Sequence, residues 1–291
     1  MWWMTALAFA GGADDDPWRT LYVAELAALH VQGHAVYEGD LSEDTLDTFR
    51  VMAKAGTRVF LRDRLAWVST DALHEAGVAD LAGWITDVDG DQVRIHWVEA
   101  GDVPMSRYEG VLDGDQVRWT HGPDDAAPEP LPDHLLTAWS CRQQVIRAMQ
   151  RQEIRPPHPS PNLVVELVGS RPWVYVTPPV SDERGYYVGG VLTYTCEEGG
   201  LRELAVSDER LMTIPLEHDL AKVHIVAHSR IEVPTPAQFF QAMLLDRPMA
   251  VQALGHAWYI TAGDEHHYLG PLPETRRAGK KRLRRLAKDK P

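Results

Sequence analysis

Residues 223–230 read VHIVAHSR, residues 231–248 read IEVPTPAQFFQAMLLDRP, and residues 249–260 read MAVQALGHAWYI. The first run is an apolar strand that ends in His228-Ser229. Pro234-Thr235-Pro236 then opens a helix, because proline fits the first helical turn, where its missing N–H costs nothing. Two short apolar runs, 249–254 and 257–260, follow the helix. A strand, a helix and two strands in this order predict a mixed sheet with one covering helix.

The rest of the second half has the same character. Runs 163–168, 173–177, 186–196, 201–206 and 211–216 are apolar or alternating, and Gly, Pro and Asp separate them. Gly199-Gly200 predicts a hairpin over 186–206, since tight turns need residues that tolerate positive φ. Residues 162–270 therefore read as one α+β domain, and 271–291 as a basic tail.

The first half mixes helices with a hairpin array. Residues 17–32 and 42–55 have helical apolar spacing. Ser42 caps the second of these, Glu43, Asp44 and Asp47 favour its N-terminal dipole, and Gly56 is expected to stop it. Residues 57–70, TRVFLRDRLAWVST, read as strand, turn and strand, and 71–81 as a short helix. The hexapeptide DGDQVR occurs at 89–94 and again at 113–118. Asp-Gly between apolar runs is a hairpin signal, so 83–122 reads as a four-stranded antiparallel meander. The run Asp87-Val88-Asp89-Gly90-Asp91 also has the look of a calcium loop, but its glycine falls at the fourth position and Val98, at the twelfth, stands where a bidentate Glu belongs. Residues 14–122 form the N-terminal domain on this reading. Two Pro-rich stretches, 123–132 and 155–161, flank a helix, and 123–161 reads as a linker. The fold class is α+β: N-terminal helices with an antiparallel β-meander, then a C-terminal mixed sheet with one covering helix.

The chain has 291 residues, 44% of them apolar, enough for two domains with sizeable cores. Its net charge of −13 is uneven. Arg276, Arg277, Lys280, Lys281, Arg282, Arg284, Arg285, Lys288 and Lys290 crowd the tail, which leaves 20 basic and 41 acidic residues in the body. An acidic body disfavours nucleic acid and anionic membrane everywhere except at that tail. No run approaches the ~20 apolar residues of a membrane-crossing helix. Residues 1–13, MWWMTALAFAGGA, resemble a secretory signal peptide, with a short apolar run and Ala8-Phe9-Ala10 as a small-x-small cleavage pattern. The two cysteines, Cys141 and Cys196, form one long-range disulfide if the chain is exported and are two core thiols otherwise.

The region around His228 resembles the metal-centred part of the JAB/MPN family of zinc isopeptidases. In that family a His-x-His pair at a strand end and an Asp from the following helix bind zinc, and an upstream Glu is the general base. His228 matches the first ligand. Arg230 stands at the second His, Thr235 stands in for the Ser, and Gln238 occupies the Asp position. Glu166, on an apolar strand, is the candidate base. The resemblance covers about a third of the chain and implies a copy of the fold without its full ligand set. The same half also resembles uncharacterised secreted bacterial proteins. His224 and His228 share a strand face but lie ~13 Å apart at 3.3 Å per residue, too far for one metal. Asp264-Glu265-His266-His267 reads as a solvated polar turn.

These residues favour an exported, periplasmic or secreted bacterial protein, non-catalytic, that binds another protein or a cell-envelope component. One alternative is a zinc-dependent hydrolase centred on His228 with Glu166 as base. The other is a cytoplasmic protein that contacts nucleic acid through Arg276–Arg285. No cofactor beyond that zinc is implied.

Overall fold

The computed structural model describes residues 41–89, 92–114, 116–123, 127–168, 171–198, 200–204, 211–218, 225–263 and 266–271. The N-terminal apolar run, the helix expected over 17–32, His224, Asp264-Glu265 and the basic tail lie outside them. The architecture is α+β, with three helices and four sheets among the described residues. No described helix is long and apolar enough to cross a membrane.

In chain order the first elements are α1 (Glu43–Glu75), β1 (Leu81–Asp89), β2 (Gln92–Glu99), β3 (Met105–Asp113), β4 (Gln116–His121), β5 (Glu129–Pro130) and α2 (Asp133–Gln150). Then come β6 (Asn162–Val168), β7 (Arg171–Thr177), β8 (Ser181–Asp182), β9 (Gly185–Gly189), β10 (Leu192–Glu197), β11 (Gly200–Glu203) and β12 (Leu211–Ile214). The last are β13 (Ile225–Ser229), α3 (Pro236–Leu244), β14 (Met249–Ala253), β15 (His256–Ile260) and β16 (His267–Pro271). They divide into two compact units. Among the described residues, one takes 41–56, 179–191 and those from 211 to 271; the other takes 57–178 and 192–204.

The second unit holds the meander, in the order β1-β2-β3-β4, with β5 paired to β3. Asp89 faces Gln92 and Asp113 faces Gln116, so both DGDQVR copies turn at the expected place. Alternation sorts the strand residues onto two faces. Val93, Ile95 and Trp97 pack with Leu65, Ala66 and Leu73 of α1, and Trp97 donates its indole N–H to Ser69 Oγ at 3.0 Å. Ile85 and Val98 turn the other way, into a cluster with Leu135, Ala138 and Val145 of α2. That cluster also takes Leu163, Val165, Val174 and Val176 from a second sheet, ordered β11-β10-β7-β6. The helix between the two Pro-rich stretches is thus part of this unit's core, where the sequence suggests a linker.

The first unit holds the sheets β12-β9-β8 and β13-β14-β15-β16. β13 and β14 run parallel, joined through α3, and β14, β15 and β16 are antiparallel. This matches the mixed sheet with one covering helix expected from residues 223–260. Phe49, Met52 and Ala53 of α1 pack into its core beside Phe239, Val251 and Trp258.

Two expectations need correcting. Residues 42–81 are not helix, two strands and helix; one helix runs from Glu43 to Glu75. Ser42 Oγ accepts the Thr45 N–H at 3.2 Å as its cap, but Gly56 does not stop it. Gly56 lies where α1 meets α3: a Cβ there would collide with Phe239 Cβ and lie 2.8 Å from the Pro236 carbonyl oxygen. The glycine is a packing requirement rather than a terminator. Replacing a mid-helix Gly by Ala normally gains about 1 kcal/mol, but overpacking costs about 1–3 kcal/mol. Gly56→Ala is therefore expected to lower the denaturant midpoint rather than raise it.

The second correction concerns 186–196, expected as one strand. Gly189 and Gly190 both have positive φ (78° and 65°), which breaks the run into β9 and β10. β9 pairs with β12 in the first unit, and β10 with β7 in the second. β10 and β11 pair antiparallel, with Glu197 facing Gly200, as expected of a hairpin here.

Candidate functional site

The densest buried polar constellation in the second unit forms where α1 faces β6 and β7. Arg58 and Arg62 are one helical turn apart, so both side chains leave the same face of α1. On β6, Asn162, Val164 and Glu166 alternate onto one face, while Leu163 and Val165 enter the apolar core on the other. Glu166 is 1% exposed. Its Oε2 lies 2.6 Å from Arg62 Nε and its Oε1 3.3 Å from Arg58 Nη1. Arg62 Nη1 also donates to Thr86 Oγ1 at 2.6 Å and to the Thr86 carbonyl at 2.8 Å. Asp63, the next residue, accepts Asn162 Nδ2 at 3.3 Å. Tyr175, opposite Val164 on β7, and Thr193, opposite Tyr175 on β10, extend the polar face.

The electrostatics follow from burial. Desolvation pulls the Arg62 guanidinium down, and the Glu166 carboxylate pulls it back up. Tyr175 is raised far above an ordinary phenol, first by burial and then by Glu166, so it stays protonated. Burial pushes Asp63 up to about 7, against the Asn162 hydrogen bond, which lowers it. Asp63 therefore exchanges its proton near neutrality. Glu166 serves as the counter-ion of both arginines.

Asp63 imposes a pH dependence with a definite sign. Its carboxyl holds a proton in the folded chain up to about pH 7 but loses it near 3.8 when unfolded. Folding then binds a proton between these values. The stability it contributes is full below the unfolded pKa and is lost as pH rises through about 7. The slope approaches about 1.4 kcal/mol per pH unit at most. Asp63→Asn is expected to remove this fall, so its advantage over the parent grows from pH 4 to 7 and levels above. Urea unfolding across that range measures it, and equal slopes in the two proteins would contradict it.

A histidine on the meander has the partners of a nucleophilic relay without the arrangement. Ser106 Oγ and Glu109 Oε2 lie 3.3 and 3.6 Å from His96 Nδ1. A Ser-His-acid relay places serine and acid on opposite ring nitrogens. Here both approach Nδ1, and Nε2 is buried without a partner among the described residues. Burial also lowers the His96 pKa, with Glu109 opposing.

The residues singled out from the sequence are placed as follows. His228 is half-buried on β13, and its carbonyl accepts Gln238 Nε2 at 2.9 Å. Gln238 Oε1 accepts the Thr235 N–H at 2.8 Å, so Gln238 ties the start of α3 to β13. An amide bound to the backbone at both ends, with Arg230 two residues from His228, does not make a zinc ligand set. No group of three or more His, Cys, Asp or Glu among the described residues could hold a metal ion. Glu166 belongs to the second unit and His228 to the first, each engaged within its own. His266, expected in a solvated turn, packs edge-on against Phe239 with ring centres 5.0 Å apart. Cys141 of α2 and Cys196 of β10 are disulfide-bonded, with Cα atoms 5.6 Å apart. The basic tail residues lie outside the described residues.

Comparison with protein-family models, curated proteins and solved structures finds no match. Sequence reasoning missed Arg58, Arg62, Asp63, Tyr175 and Arg142. The four-residue spacing of Arg58 and Arg62 was a usable signal, but only if 57–70 is read as helix. Arg142 falls seven residues after Leu135, on the buried face of its helix, and a cation in that position was a signal too.

Proposed function

We propose that this chain is an exported protein that binds another protein or a cell-envelope component rather than turning over a substrate. The Cys141–Cys196 disulfide carries the reading. Structural disulfides persist in oxidising compartments and are rare where thiols are kept reduced. The apolar N-terminal run with its Ala8-Phe9-Ala10 pattern supports the same route. The engagement of Glu166 by two arginines favours binding over catalysis, because it removes the candidate base.

The test is expression of the full chain with its own N-terminus in a bacterial host, followed by fractionation. Intact mass after thiol alkylation reads two things at once. The expected species is periplasmic or secreted, begins at Gly11 and takes up no alkylating reagent until reduced. A cytoplasmic species that keeps the N-terminal segment and alkylates at both cysteines without reduction would overturn export. Envelope extract passed over the immobilised oxidised protein tests the binding half, with saturable retention of a defined component as the expected result and none as the contrary one.

A further inference from the structure

Arg142 is a buried cation with no ion-pair partner among the described residues. It projects from α2 into the second unit and is 7% exposed. Its guanidinium carbon lies 5.4 Å from the Trp139 ring centre and 5.7 Å from that of Trp84. Gly83 completes the slot. It has φ 135°, and a Cβ there would lie 2.9 Å from Nη1 and 3.0 Å from Nη2, so the missing side chain is what admits the fork. Nε and Nη1 are buried with no hydrogen-bond partner among the described residues. Burial lowers the guanidinium to about 10, so it remains charged at neutral pH.

The contrast with Arg62 is informative. Both are buried arginines of the same unit, but Arg62 has Glu166 and Thr86, and no described carboxylate forms an ion pair with Arg142. Desolvating a charge without pairing it is costly. The two indoles offset part of that cost through their negative faces. An indole has no hydrogen-bond-accepting atom, so the buried Nε and Nη1 donors stay unmet among the described residues. Cys141, one residue earlier, ties this part of α2 to β10, so the slot sits on a fixed helix. Gly83 and Trp84 are half-buried, which brings the β1 flank of the slot to the surface.

We propose that Gly83, Trp84, Trp139 and Arg142 form a recognition slot for a carboxylate. A carboxylate is flat, matches the guanidinium fork with two parallel hydrogen bonds, and brings the single negative charge that the slot lacks. A tetrahedral dianion is a poorer fit, since its second charge has to be desolvated between two indoles. The inference stands whether or not the chain is exported.

The probe is sodium acetate, titrated into the oxidised full chain at constant ionic strength and followed by the arginine Nε–H signals in a proton–nitrogen NMR spectrum. Sodium chloride and sodium phosphate are run in parallel. The Arg142 signal is identified by its absence in Arg142→Lys. The expected result is a saturable shift of that signal with acetate, weaker with phosphate and absent with chloride. Trp84→Phe, which keeps the arginine, is expected to weaken acetate binding. In Arg142→Lys, backbone amides of Gly83 and Trp84 report the titration, and affinity falls roughly tenfold or more with the loss of charge-assisted fork bonding. An Arg142 signal that ignores acetate in the parent protein overturns the proposal. So does a response to chloride of equal size, or tighter binding of phosphate than of acetate. The parent titration decides the matter even if a variant fails to fold.

Discussion

Glu166→Ala is expected to lower the unfolding free energy by about 3–5 kcal/mol, the usual cost of removing one partner from a buried ion pair. Glu166 pairs with two arginines, and Arg62 is buried. Truncation leaves Arg62 charged, desolvated and hydrogen-bonded to Thr86 without a paired carboxylate among the described residues. Glu166→Gln is expected to cost less, because the amide oxygen still accepts from one guanidinium. Joint replacement of Arg62 by Met and Glu166 by Leu should recover much of the loss, since a well-packed apolar pair often matches a buried salt bridge. Guanidinium chloride unfolding of the parent, Arg62→Met, Glu166→Leu and the double variant closes a thermodynamic cycle. A Glu166→Ala protein within 1 kcal/mol of the parent (~1 kcal/mol being an ordinary surface-to-core substitution) would contradict the role given to this residue.

Loss of the Cys141–Cys196 bond is expected to cost about as much. The two cysteines are 55 residues apart, and closing a loop of that length restricts the unfolded chain by roughly 4 kcal/mol on the entropic account. The double variant Cys141→Ala/Cys196→Ala removes the link without leaving two thiols, and it should unfold at clearly lower denaturant than the oxidised parent. Reductant should shift the parent to the same place and leave the variant untouched. Identical unfolding of parent and variant under oxidising conditions would mean that the link does not form.

Much of the fold is legible because its signals are local. The repeated DGDQVR turn sets the register of β1 to β4, and Pro236 with its neighbours marks the start of α3. Where the reading fails, a distant residue decides. The run TRVFLRDRLAWV alternates Arg with apolar residues closely enough to satisfy a strand, and only the approach of Phe239 shows why Gly56 belongs inside a helix. The same misreading hides the candidate site. With 57–70 taken as strand, turn and strand, Arg58 and Arg62 are not neighbours one helical turn apart, and Glu166 is left as an isolated acid that looks like a base. The two Pro-rich stretches suggest a boundary, yet Leu135, Ala138 and Val145 between them are buried core residues. Proline marks turns well, but it does not say whether the segment it borders stands alone.

The covalent loop closed by Cys141 and Cys196 encloses Pro179–Val191, the segment by which the chain leaves the second unit and returns to it. A protease that nicks this excursion at the exposed Arg184 cuts inside a ring. The two fragments stay tethered as one molecule until a reductant frees them. On a non-reducing gel such a nick is silent, and the oxidised chain is cut there without losing a piece of itself.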